Sequence, residues 1–81
     1  MIKMDEVGFK QNLEEALEFH DAYLSNEELK TFMNLNFDED GYLAEWSFSE
    51  FNSFALDVAT EGIKRACHLN DLNWPEDKED F

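Results

Sequence analysis

The 81-residue sequence predicts a mainly helical domain with one small β-hairpin, in the order α-α-β-β-α, its two long amphipathic helices packed on the apolar face of the hairpin. An all-helical fold is the alternative. Three observations lead there. Apolar residues recur at helical spacing near both ends of the chain, two Ser-x-x-Glu segments have the form of capping boxes, and two alternating runs flank Asp38-Glu39-Asp40-Gly41.

From about Asp5 to Tyr23, the residues Phe9, Leu13, Ala16, Leu17, His20 and Leu24 fall on one face of a helix. At roughly 100° per residue, Glu14, Glu18 and Asp21 share the opposite face, with Glu15 at its edge. Ser25-Asn-Glu-Glu28 opens a short helix from about Asn26 to Phe32 or Met33, because Ser25 and Glu28 can each satisfy a backbone N–H of the other. Met33, Leu35 and Phe37 then alternate with Asn34 and Asn36, and Tyr42, Ala44, Trp46 and Phe48 alternate after the acidic turn. Folded at that turn, Phe37 meets Tyr42, Leu35 meets Ala44 and Met33 meets Trp46. An isolated hairpin is marginal in water, so its apolar face is expected to lie on the helices.

Ser47-Phe-Ser-Glu50 opens the last helix, with Phe51, Phe54, Ala55, Val58, Ala59, Gly62 and Ala66 on its apolar face up to about His68. Glu50, Asp57 and Glu61 lie within roughly 40° of one another on the far side. Lys64, Arg65 and His68 occupy the final turns, where cations favour the helix dipole. Leu72 and Trp74 are expected to return to the core before Pro75, the only proline. Residues 1–75 thus read as one compact domain and 76–81 as a mobile acidic tail.

Twenty Asp and Glu against six Lys and Arg give a formal charge of -14. Such a surface disfavours direct binding to nucleic acid or anionic lipid, which needs surplus cations, and favours basic partners. Disorder also requires low hydrophobicity, whereas this chain is 43% hydrophobic and 15% aromatic and should fold. Its melting temperature is expected to rise with added salt, which screens the repulsion; a salt-independent melt would show the acids to be dispersed or paired. No apolar run approaches the roughly 18 to 20 residues of a membrane span, and the N-terminus lacks a secretory signal. The lone Cys67 forms no intrachain disulfide. A cytoplasmic location is expected, in a bacterial or phage-infected host cytosol.

One segment resembles the first half of an EF-hand calcium loop. With Gly41 at position 6, Asn36, Asp38 and Asp40 occupy positions 1, 3 and 5, but Ser47 stands at position 12 in place of the bidentate Glu. An acidic turn in which Gly41 takes a positive φ accounts for the same residues. His20, Cys67 and His68 make a weak zinc set, since structural zinc takes four Cys or His ligands. His20, central on its apolar face, reads better as a packed histidine bonded to a neighbour. Cys67 lies near a helix C-terminus, where the dipole discourages a thiolate, and no Gly-rich phosphate loop is present. No enzyme activity and no cofactor are expected.

The acids remain. A folded domain of this size exposes about 5,000 Å², so evenly spread carboxylates would fall near one per roughly 250 Å², against roughly one charge per 100 Å² on duplex DNA. Clustering on two helix faces and a turn could approach the higher density. Glu14/Glu18 and Asp57/Glu61 repel at i,i+4, costing each helix a few tenths of a kcal/mol, which a neutralising partner would offset. In type, though in no alignable motif, the chain is similar to two classes of small acidic proteins: immunity proteins that block nuclease toxins, and phage anti-defence proteins that occupy the nucleic-acid channel of a restriction or CRISPR effector, often as DNA mimics. The expected partner is such a basic nucleic-acid-handling protein, with no direct nucleic-acid or membrane contact; a second copy of the chain is a further candidate. The expected contacts are Glu14, Glu18, Asp21, Asp38, Glu39, Asp40, Glu50, Asp57 and Glu61, with Phe19 or Tyr42 as exposed anchors. The other readings are a calcium-responsive module and a structural or adaptor subunit of a larger complex.

Overall fold

A computed structural model describes residues 3–75; the expected tail, 76–81, lies outside the described residues. The elements are α1 (Glu6–Phe19), α2 (Asn26–Asn36), a 3-10 turn (Tyr42–Glu45), α3 (Phe48–Glu61) and α4 (Ile63–Leu69). Each long helix starts where the sequence supplies a cap. The Asp5 carboxylate accepts from Gly8 N at 2.8 Å. Both predicted capping boxes form: Ser25 with Glu28, and Ser47 with Glu50, each backbone N–H of the pair bonded by the other's side chain.

Helix α1 ends at Phe19, short of the expected Tyr23, and α1 and α4 end alike. Asp21 (φ 58°) and Asp71 (φ 62°) take left-handed backbone just beyond the helices. Ala22 N donates to Leu17 O and Asp21 N to Glu18 O; Leu72 N donates to Cys67 O and Asp71 N to His68 O. These are Schellman closures with aspartate in the place glycine usually holds.

The β-hairpin is not present: the fold is all-helical, with no strand among the described residues. Helix α2 runs through Met33 and Leu35 to Asn36, so these residues cannot face Trp46 and Ala44 across a ladder. Leu29, Phe32 and Met33 are its buried positions, a helical spacing that contains Met33 as readily as the alternating run does, while Leu35 is exposed. Beyond the turn, Leu43, Ala44 and Trp46 are buried but Tyr42 and Phe48 are exposed, so the second alternation does not divide inside from outside. Gly41 is extended at φ -92°, ψ 177° and needs no left-handed conformation.

Gly62 also breaks what the apolar spacing read as one helix to His68. Its φ of 93° ends α3 and redirects the chain into α4. The break folds the chain back, so that α4 packs against α3 as α1 does. The core centres on Phe9, Phe32 and Phe54, all fully buried, with Leu13, Trp46, Phe51 and Cys67 around them. Met4 N donates to Ala44 O at 2.9 Å and ties the N-terminal segment to the 3-10 turn. Leu72 and Trp74 pack on the core as expected. An amide pair holds them there: Asn36 Nδ2 donates to Asn73 O at 3.0 Å, and Asn73 N donates to Asn36 Oδ1 at 2.7 Å.

Candidate partner-binding surface

The expected acids are distributed as separate groups. Glu14 and Glu18 border a shallow depression between α1 and the start of α2, shared with Leu17, Tyr23, Leu24 and Leu29. Asp38, Glu39 and Asp40 are exposed in the loop after α2. There Asp38 Oδ1 accepts from Asp40 N at 3.1 Å, while Lys3 Nζ donates to Asp40 O at 3.3 Å and pairs with Glu45 at 3.4 Å. Glu50 is committed to its capping box at 2.7 Å, and Asp57 accepts from Asn70 Nδ2, beyond α4, at 3.0 Å. Glu61 is exposed at the end of α3.

The two stripes face different neighbours. On α1, Glu14 and Glu18 lie on the side toward α2, whereas Asn12, Glu15 and Phe19 face α3. On α3, Asp57 lies on the side toward Asn70 and α4, whereas Phe48 and Asn52 face α1. The stripes therefore flank the α1–α3 pair instead of meeting across it. With a surface of 5558 Å², twenty carboxylates average one per roughly 280 Å², well below the charge density of a duplex.

Between the flanks lies a groove of about 330 Å³. Ala16, Trp46 and Phe51 form its buried floor; Phe19 and Phe48 rim it at 77% and 82% exposure. His20, half-buried, bonds through Nε2 to Asn52 Oδ1 at 2.9 Å and braces α1 against α3 beside the groove, which is the packed role expected of it. Phe19 was an expected anchor, but the groove and Phe48 were not. The available signal was the helix angle: Phe19 falls off the Phe9–Leu13–Ala16–Leu17 face, and Phe48 follows the Ser47 cap, ahead of the first buried residue of α3.

Of the three side chains in the calcium reading, Asn36 and Asp38 have partners within the fold, while the Asp40 carboxylate has none among the described residues. The Asn36 amide holds Asn73, Asp38 bonds Asp40 N, and Gly41 lacks the positive φ. Among the described residues no group of three or more His, Cys, Asp or Glu side chains is placed to hold a metal ion. Nor is any described helix long and apolar enough to cross a membrane.

Cys67 is fully buried, and burial pushes its thiol up from 9.0 to about 11. The reactive thiolate is correspondingly scarce, so alkylation of the native protein at pH 8 should run at least about tenfold slower than that of the unfolded chain. The raised value also fixes a pH dependence. The folded state holds this proton more tightly than the unfolded state, so the thiol's contribution is complete below about 9 and is lost as pH rises toward 11. A denaturant midpoint that climbs across that window in wild type but not in Cys67→Ser would contradict it.

No known family model, curated protein or solved structure matches this chain.

Proposed function

We propose that this protein is a non-catalytic, stoichiometric inhibitor that covers the basic nucleic-acid-binding surface of a nuclease toxin, or of a restriction or CRISPR-type effector, and excludes the substrate. One observation carries the reading: an exposed carboxylate surplus that the chain has no means to neutralise. Even if all six Lys and Arg paired with separate carboxylates, fourteen acids would remain. Among the described residues no charged side chain is buried. The surplus is held at a cost, in the like-charged pairs of α1 and α3 and in two aspartates at left-handed positions that favour glycine. A basic groove would offset the repulsion, and the carboxylates would steer its approach.

The separation of the acidic groups favours a partner that meets one flank, or wraps around the α1–α3 pair, over end-to-end imitation of a duplex. The test is titration into the cleavage reaction of a nuclease or effector encoded beside this chain's gene. Cleavage should fall in proportion to added protein and stop near one-to-one, with labelled DNA displaced. Association should slow about tenfold or more as salt rises from about 50 mM to 500 mM. Full cleavage at excess inhibitor, or association indifferent to salt, would refute the reading.

A further inference from the structure

The α1–α3 groove is an unusual feature of an acidic surface. Two phenylalanine rings stand in solvent on opposite helices with an apolar floor between them. Its polar lining is selective as well. The Asn12 amide nitrogen is taken up by Gly8 O at 3.0 Å and Met4 Sδ at 3.2 Å, and Asn52 is held by Phe48 O and His20. Glu15 alone among the charged residues lines the groove; it is exposed, and its carboxylate makes no hydrogen bond or ion pair among the described residues. The remaining groove chemistry is apolar surface, two aromatic faces, the Asn12 amide oxygen and one anionic acceptor.

This set has a complement. Leucine or tryptophan fits the floor and rims, and arginine satisfies the rest, since its guanidinium stacks on an aromatic face and forks onto a carboxylate. A second copy of the chain carries the same net charge of -14, and the repulsion between the two copies argues against self-association there. We propose that the groove between α1 and α3 receives a basic segment of the protein partner, with an apolar side chain seated between Phe19 and Phe48 and a neighbouring arginine paired with Glu15. This assignment rests on the inhibitor reading for the partner's basic character; the groove geometry is independent of it.

The probe is a synthetic fluorescein-labelled peptide in which arginines alternate with leucine and tryptophan, beside a counterpart with serine in place of both apolar residues. Anisotropy titrations against the full chain should show the apolar-basic peptide binding at least about tenfold more tightly than the serine peptide. Amide resonances of Glu15, Phe19, Phe48 and Asn52 should shift as it binds. F19A combined with F48A should abolish the preference while leaving the melting temperature nearly unchanged, because both rings are exposed. E15Q should weaken the apolar-basic peptide most at low salt. Equal binding of both peptides, an unaltered preference in the double variant, or shifts confined to the acidic flanks would overturn the proposal; so would sedimentation showing a dimer that the double variant dissociates. The two readings fail separately. Peptide capture in the groove without nuclease inhibition removes the inhibitor, and full inhibition by the double variant removes the groove.

Discussion

Phe9→Ala should leave the chain without a cooperative thermal transition. Phe9 is fully buried on α1, and its ring meets Phe51 at 5.0 Å between centroids, Phe37 at 5.4 Å, Trp46 at 5.6 Å and Phe32 at 6.4 Å. These partners come from α2, the loop after it, the segment after the 3-10 turn, and α3. One side chain thus joins most of the core, and no neighbour can collapse into its space without releasing another. Phe→Ala in such a site costs about 3–5 kcal/mol. A domain of this length has roughly 4–12 kcal/mol in all, and like-charge repulsion places this one toward the lower part of that range. Near-UV circular dichroism should be flat and the far-UV melt broad, with partial recovery in high salt. Phe19→Ala supplies the contrast: its ring is 77% exposed, and its melting temperature should move little, within about 0.5 kcal/mol of stability. A sigmoidal melt for Phe9→Ala within a few degrees of wild type would show that the core does not depend on this hub.

The sequence signals that proved reliable are local. A capping box needs only Ser25 and Glu28, or Ser47 and Glu50, and both formed. The apolar faces of α1 and α3 likewise follow from the angle between successive residues. The hairpin fails because alternation over five residues, Met33 to Phe37, is too short to separate period two from period 3.6. The choice is made by Leu29, Phe32 and Met33, which bury together only if the helix continues. Gly62 illustrates the opposite problem. Its position suits the helical face, and only the return of α4 onto α3 requires the left-handed backbone that makes it a hinge between them.

The site divides along the same line. Membership of each acidic stripe could be read from helix angle, but not the neighbour each stripe faces, because that depends on which helices meet. The predicted acids also differ in their freedom. Glu50 and Asp57 have hydrogen-bond partners within the fold, and Asp21 closes α1, so a change at any of them alters structure as well as charge. Phe48, read as the last position of the second alternating run, rims the groove, because its placement follows from the start of α3 and not from strand alternation.

Glu14 and Glu18 are free of these commitments, which makes Glu14→Lys with Glu18→Lys the cleanest test of the acidic mechanism. The pair repels at i,i+4 before and after reversal. The attraction of Glu14 to Lys10 turns to repulsion, whereas Glu18→Lys replaces repulsion from Glu15 at i,i+3 by attraction and puts a cation in the last turn of α1. These effects of a few tenths of a kcal/mol each oppose one another, so the helix changes little. Association with the inhibited nuclease should slow about tenfold at low salt if the α1 flank faces the basic surface. The deficit should shrink as the Debye length falls from about 10 Å at 0.1 M salt to about 3 Å at 1 M. Glu61→Lys probes the other flank. It places a cation at the C-terminal end of α3, where the helix dipole favours it, so lost binding there would not be lost folding. A partner lying along α1 responds to the first substitution and much less to the second, whereas one that wraps the α1–α3 pair responds to both. Stopped-flow association indifferent to both, with the fold intact by circular dichroism, would show that the carboxylate surplus does not mediate binding.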